Sequence, residues 1–191
     1  MSDRSILTIQ TDAEMDYILQ KLGDLGDPKL AKRILRTALT STARDARKRL
    51  IKDNKKRYAL KKSGEYSKES KATPAKASKL VAEVVASGPK HGLNEYTSRP
   101  NTAKLAVRAK VLKSSPLKEI VKDERKAFVA TVKGHTAFWQ RETSARFPIK
   151  KFVSLSAADM FGRVAREPDV AEDLYRILAA EVEQRIAAAL E

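Results

Sequence analysis

The chain has 191 residues, of which 42% are hydrophobic and 33% charged, and its formal net charge is +15 at pH 7. It contains no cysteine, which excludes disulfides, thiolate metal sites and thiol nucleophiles, and its two histidines are too few for a His-rich metal centre. No run approaches the ~20 apolar residues that span a bilayer, and no secretory signal is evident at residue 1, so we expect synthesis in a cytoplasm and no membrane contact.

Charge is distributed unevenly along the chain. Residues 28–80 carry eighteen basic and four acidic side chains, and residues 81–166 carry seventeen and seven. The flanks are acidic, since residues 1–27 carry six acidic and two basic side chains and residues 167–191 carry seven and two. This pattern suits either a polyanionic partner or head-to-tail copies in which the acidic ends of one subunit meet the basic middle of the next.

The first third of the chain predicts a short strand over 5–11, a short helix and then a long helix over 27–60. In the long helix, Asp27 is the expected N-cap and Pro28 occupies the first helical position. At about 100° per residue, one broad face is apolar, and a compact group of arginines lies opposite: Arg33, Arg36, Arg44 and Arg47. Arg49 falls on the apolar side, which indicates that the helix leaves the core there.

Residues 61–79 are rich in Ser, Lys and Ala. Because this composition buries too little apolar surface to order itself, we expect a mobile basic loop or arm within a single domain spanning 1–191.

After residue 79 the hydrophobic period changes from 3.6 to 2, which predicts strands. They are expected near 79–88, over 104–112, in a hairpin whose turn is Gly134-His135, and after Pro148, which confines its strand to an edge or a start. Residues 114–125 predict a turn or a single helical turn. Two helices close the chain, the first opened by a capping box of Ser156 and Asp159. The order of elements is typical of an α+β fold, in which an antiparallel sheet of about four to five strands packs against a long N-terminal and a C-terminal helix.

The aromatic residues near 133–151 allow two interpretations, a stacking platform for nucleic acid or the inner face of a sheet. A hairpin about Gly134-His135 places Ala130 opposite Trp139, and it gathers one apolar side: Phe128, Ala130, Val132, Ala137 and Trp139. We therefore predict that Trp139 is a core residue covered by a long helix, and that Phe138, on the mixed side, is the better candidate for a partner contact. A platform would instead place exposed aromatic and basic side chains on the same face.

No group of residues in the sequence resembles an active site. His135 falls in a predicted turn, and His91 falls in a Gly/Pro loop that lacks the strand and helix of a phosphate-binding loop. The carboxylates of the middle region lack the D-x-D or E-x-x-H spacing of a metal nuclease. We expect no catalytic residue, no metal and no cofactor, and therefore a protein that is not an enzyme.

The arginine face of the long helix has two interpretations. Charged helix faces usually contact solvent. Four clustered guanidinium groups also suit contacts with phosphates or with acidic surfaces of partner subunits, because arginine makes flat bidentate contacts with both.

Residues 138–162, FWQRETSARFPIKKFVSLSAADMFG, resemble the prophage minor tail protein Z family, the tail completion proteins of long-tailed bacteriophages. The matching residues are Gln140, Arg141, Arg146, Pro148, Ile149, Ser156 and Met160. The resemblance implies a virion component at the head-proximal end of the tail that acts as a ring of copies around the DNA channel. Its expected partners are further copies of itself, other tail or neck proteins, and DNA phosphates bound without sequence specificity.

Three functions are therefore considered. The first is a structural phage-tail protein acting in tail completion and head–tail joining. The second is a stand-alone nucleic-acid-binding protein that uses the arginine face and the basic stretch 52–79. The third, a nuclease or other enzyme, has the least support in the sequence.

Overall fold

A computed structural model describes residues 4–10, 16–99 and 106–190. The helices are α1 (Asp16–Gly23), α2 (Pro28–Arg57), α3 (Glu65–Lys68), α4 (Ala157–Ala165) and α5 (Pro168–Leu190). The strands are β1 (Arg4–Gln10), β2 (Ser70–Thr73), β3 (Val81–Ala86), β4 (Lys90–Gly92), β5 (Thr97–Arg99), β6 (Arg108–Lys110), β7 (Lys118–Glu119), β8 (Val121–Lys122), β9 (Arg125–Lys126), β10 (Phe128–Val132), β11 (His135–Arg141), β12 (Ile149–Lys151) and β13 (Val153–Ser156). The predicted α+β class is confirmed, although the strands form several small antiparallel sheets in place of one sheet of four to five strands.

The larger hydrophobic cluster, here called the first cluster, is built around α2. One side of α2 lies on the antiparallel sheet β1-β3-β2, and α4 and α5 pack beside it. The largest fully buried members of the first cluster are Ile18, Leu39, Leu50, Tyr58, Tyr66, Tyr96, Met160, Phe161 and Leu178. The expected packing of a sheet by the long N-terminal helix is thus confirmed, and the C-terminal helix α5 packs mainly on α2.

The start of α2 follows the sequence signals. The Asp27 carboxylate accepts hydrogen bonds from the N–H groups of Lys29 and Leu30 at 2.8 and 3.2 Å, and Pro28 is the first helical residue. The helix ends at Arg57, before the predicted end at residue 60. It ends there because Tyr58 is extended, with φ −101° and ψ 145°, and forms a bridge with Leu112.

The prediction that α2 leaves the core at Arg49 is wrong. Leu50 is 0% exposed and Asn54 is also buried, so the helix stays in the first cluster. Arg49 reaches α5 instead, where its Nη2 lies 2.7 Å from Asp169 and its Nη1 pairs with Asp173. An arginine on an apolar side can therefore mark a helix–helix ion pair.

Residues 61–79 are not the mobile loop that the composition predicted. They include α3 and β2, Tyr66 is 1% exposed, and β2 pairs with β3. Arg47 fixes the segment further, since its Nη2 donates to the Ser67 carbonyl at 2.8 Å and its Nε to the Ser70 carbonyl at 3.2 Å. One buried aromatic and these backbone hydrogen bonds order a segment whose composition alone indicates disorder.

A second, smaller hydrophobic cluster lies among the remaining strands. Its buried residues lie in or directly beside strands β6 to β11. Ala109 is in β6 and Phe138 in β11, and three others flank strands: Val107, Ile120 and Ala127. Residues 114–125 hold β7 and β8 and a tight turn at Asp123-Glu124, with φ of 51° and 62°, where the sequence predicted a turn or one helical turn. Part of the strand predicted over 104–112 lies outside the described residues, and the rest contains β6.

The register of the β10-β11 hairpin differs from the prediction. Its turn is Lys133-Gly134, with φ of 50° and 78°, and positive φ at both central residues is the pattern of a type I′ turn. Ala130 consequently pairs with Ala137, and Phe128 pairs with Trp139. Because the shift is an even number of residues, the predicted faces of the hairpin are retained although the predicted cross-strand partners are wrong.

The chain returns to the first cluster after the hairpin. As predicted, Pro148 precedes an edge strand, β12, which pairs with β11. The capping box at the start of α4 is also confirmed, since the Ser156 Oγ accepts from the Asp159 N–H at 3.2 Å.

Candidate interaction surfaces

Phe138 and Trp139 lie on the predicted faces of the hairpin, but the burial of the two faces is the reverse of the prediction. Phe138 is 3% exposed and belongs to the second cluster, so the prediction that it contacts a partner is wrong. Trp139 is only half-buried and belongs to neither hydrophobic cluster of the described residues, so the prediction of a core residue under a long helix is also wrong. The reason is that β6 to β9 cover the Phe138 side, whereas the long helices pack in the first cluster.

The opposite side of the β10-β11-β12 sheet is here called the aromatic–basic face. The strand registers place nine residues on it: Phe128, Ala130, Val132, His135, Ala137, Trp139, Arg141, Ile149 and Lys151. The Trp139 indole Nε1–H donates to the Ala130 carbonyl at 2.9 Å, which holds the ring across the hairpin. The guanidinium of Arg141 lies 5.6 Å from the centre of the Phe128 ring. Aromatic and basic side chains therefore share one face, as in a stacking platform.

The seven residues of the family resemblance divide into internal and exposed groups. Gln140 donates to the Lys122 and Arg125 carbonyls and so ties β11 to the β8-β9 ribbon. Ser156 caps α4, and Met160 is 0% exposed in the first cluster. The others lie at or near the surface, with Ile149 half-buried and three exposed residues: Arg141, Arg146 and Pro148.

The arginine face of α2 is only partly available. Arg33, Arg36 and Arg44 are exposed and form no ion pair with the described part of the chain. Arg47 instead binds the Ser67 and Ser70 carbonyls, so it is not free for the partner contact that the sequence predicted.

A second group of cations lies near the end of α2; the sequence indicated a basic stretch over 52–79 but not this grouping. Five lysines surround an open depression floored by Ile51: Lys48, Lys52, Lys55, Lys56 and Lys113. Lys48 pairs with Asp45 at 2.8 Å and Lys56 lies 3.8 Å from Asp53, whereas Lys52 and Lys55 make no ion pair with described residues. Helical spacing brings the first four together, but Lys113 joins them through the bridge between Tyr58 and Leu112, which the sequence does not reveal.

The acidic C-terminal segment uses its carboxylates within the chain. Glu167 pairs with Arg57, and both Asp169 and Asp173 pair with Arg49. The other carboxylates described over 167–190 also have partners in the same chain, namely Glu172, Glu181 and Glu183. Three of these carboxylates thus pair with arginines of α2 in the same chain, and docking onto a neighbouring copy stays a prediction.

His91 does not occupy an ordinary loop. It lies in β4, is 3% exposed, and has Glu95 2.9 Å from its Nδ1 and Glu69 2.9 Å from its Nε2. Each ring nitrogen therefore faces a carboxylate, and both can donate only when the ring carries both protons. Burial raises the pKa of Glu69 above its ordinary value of 4.5, and the charge of His91 opposes that rise. The cluster joins α3 to β4, and Glu69, 22 residues away in the sequence, gave no signal that would have revealed it.

No group of His, Cys, Asp and Glu side chains among the described residues could hold a metal ion. None of the described helices combines the length and apolar content needed to span a bilayer. Comparison of the chain with protein-family models, with curated proteins and with solved structures finds no match.

Proposed function

We propose that the chain is a structural subunit of a bacteriophage tail that acts in tail completion and head–tail joining as a member of a ring, and that it is not an enzyme. Residues 138–162, which carry the family resemblance, support this proposal by their position. The segment begins in the second cluster at Phe138 and ends in the first cluster, which contains Met160. It therefore joins the two clusters and exposes Arg141 and Arg146 between them. A subunit that holds fixed contacts with neighbours benefits from such a junction.

The charge distribution indicates what the ring would contact. Because the described carboxylates over 167–190 all have partners within the chain, the exposed cations elsewhere have few counter-charges in the same subunit. Such cations attract negative charge, which DNA phosphates or acidic surfaces of tail and neck proteins would supply. In the proposed virion they line the DNA channel or the joint with such proteins.

A stand-alone nucleic-acid-binding protein is the second candidate, and the unpaired cations of α2 favour it. Arg33, Arg44, Lys52 and Lys55 span 22 residues, or ~33 Å at 1.5 Å per residue. One turn of duplex DNA is ~34 Å long, so this row of cations could follow the duplex over about one turn.

Oligomeric state separates the two candidates. The tail proposal predicts closed rings in electron micrographs when the purified protein is concentrated or mixed with the tail proteins encoded beside its gene. A protein that stays monomeric in sedimentation velocity under both conditions would contradict the proposal.

Duplex binding gives the second measurement. A binder that contacts five phosphates would lose about 500-fold in affinity between 50 and 200 mM salt. Lys52→Gln would reduce the slope of log affinity against log salt by about 0.9, whereas Arg176→Gln is the control because that guanidinium lies on α5 and pairs with Glu172. Rings without tight duplex binding favour the tail subunit, and a tight monomeric binder favours the alternative.

A further inference from the structure

Neither hydrophobic cluster of the described chain packs against the large apolar side chains of the aromatic–basic face. Phe128, Trp139 and Ile149 are half-buried, and none of them contacts the hydrophobic clusters of the described chain. In the adjoining loop, Phe147 is 62% exposed, with the Arg146 guanidinium 5.7 Å from its ring centre. Exposed aromatic groups of this kind mark an interaction site more often than they mark ordinary surface.

The strand registers place rings and cations side by side. Trp139 lies in the central strand, paired with Phe128 on one side and with Lys151 on the other. Directly opposite residues have Cβ atoms about 5 Å apart, so Lys151 is the neighbour of Trp139 on this face. Its flexible side chain now lies with its Cε beside Gly92 of β4, and it would turn toward a ligand stacked on the indole. Arg141, two residues along β11, adds a second cation on the same face.

The positive charge around the aromatic–basic face favours a polyanionic ligand. Residues 106–152 carry twelve Lys or Arg and four Asp or Glu. No acidic residue occupies a position of the aromatic–basic face in the three paired strands, and Glu119 on the neighbouring layer is already paired with Lys126 at 3.3 Å.

We infer that the aromatic–basic face binds single-stranded nucleic acid, with a base stacked on Trp139 and with phosphates held by Lys151 and by Arg141, whose guanidinium lies over the Phe128 ring. A single strand offers flat bases and phosphates together, whereas a duplex keeps its bases stacked inside and an acidic peptide has no bases. A two-fold contact with a second copy of the chain would place Arg141 and Lys151 against the same cations, which opposes self-association of this face with itself. The inference goes beyond the proposed tail function and does not depend on it.

The single tryptophan of the chain makes the inference directly measurable. Titration of the full-length protein with oligo(dT) is expected to quench Trp139 fluorescence, because a base stacked on the indole provides a quenching contact. Polyglutamate and duplex DNA of similar charge are expected to leave the emission largely unchanged. Equal quenching by polyglutamate would indicate an acidic protein partner, and oligo(dT) binding without quenching would indicate another surface such as α2; either result would overturn the inference.

Neighbouring lysines of β12 provide a matched pair of variants. Lys151 pairs with Trp139 on the aromatic–basic face, whereas Lys150 pairs with Gln140 and points to the other side. Lys151→Gln is expected to lower oligo(dT) affinity and to reduce the salt slope by about 0.7, while Lys150→Gln leaves both nearly unchanged. Equal effects of the two substitutions would show that only general charge is involved and would refute the inference.

The stacking contribution is tested at Trp139 itself. Trp139→Leu is expected to weaken oligo(dT) binding ~5- to 150-fold, the loss that corresponds to one stacked base. Trp139→Phe keeps an aromatic face and should retain much of the affinity. Circular dichroism checks that the variants fold; if the leucine variant does not, the lysine pair and the wild-type quenching still decide the question. Unchanged affinity in a folded Trp139→Leu protein would contradict the proposed contact.

Discussion

Replacing His91 with leucine removes the buried partner of two carboxylates. The Glu95 side chain is 42% exposed and can rehydrate, but the Glu69 side chain is 15% exposed and is left with a poorly solvated charge. Breaking a buried ion pair on one side costs about 3–5 kcal/mol. Since only one of the two carboxylates stays buried, we expect the free energy of unfolding to fall by about 3 kcal/mol at pH 7, the lower end of that range.

The loss should depend on pH in a defined direction. Burial raises the pKa of Glu69 above its value in the unfolded chain. The folded state therefore binds the Glu69 proton more tightly, and the stability that this proton gives is fully present below the unfolded pKa and is lost as pH rises through the folded pKa. Without His91 the pKa of Glu69 rises further. The difference between wild type and His91→Leu should therefore grow from about 1 kcal/mol near pH 4 to about 3 kcal/mol at pH 7.

Urea denaturation followed by circular dichroism across this pH range measures the difference. His135→Leu is the matched control, because the other histidine is exposed at the start of β11 and should change stability little at any pH. A stability difference for His91→Leu that is independent of pH, or no larger than that of the control, would refute the assigned role of Glu69.

Three further predictions concern contacts within the fold. Arg49→Gln should lower the free energy of unfolding by about 1–2 kcal/mol, since its α5 carboxylates are partly exposed; the loss should shrink at high salt in urea titrations. Arg47→Gln should speed amide hydrogen exchange over 66–73, whereas Arg44→Gln, which removes an unpaired exposed guanidinium, should not. Phe138→Ala should lower the free energy of unfolding by about 3–5 kcal/mol, because it removes the largest buried side chain of the second cluster. Thermal or urea unfolding measures this, and a loss below ~1 kcal/mol would contradict the placement of Phe138 in that cluster.

Local signals predicted much of the fold. The N-cap at Asp27, the proline beside it and the capping box of Ser156 depend on residues within one helical turn, and both helix starts are confirmed. The two faces of the β10-β11 hairpin also followed from strict alternation. The turn was misplaced because Gly134 fits either a type I′ turn after Lys133 or a type II′ turn before His135.

Which face of the hairpin is covered could not be predicted from alternation. The cover over Phe138 comes from β6 to β9, strands of two or three residues that are too short to show a period. The order of residues 61–79 likewise depends on Arg47, which lies more than twenty positions from Ser70 in the sequence. The exposure of the aromatic–basic face and the grouping of the lysines near the end of α2 therefore depend on contacts between distant parts of the chain.

The ion pairs between α2 and α5 also bear on how the protein is made. The carboxylates that pair with Arg49 belong to Asp169 and Asp173, which are synthesised 120 and 124 residues later. Until α5 leaves the ribosome, the nascent chain carries its basic middle without these counter-charges, and the sheet β1-β3-β2 can cover only part of the apolar side of α2. Completion of the first cluster is thus delayed to a late stage of translation.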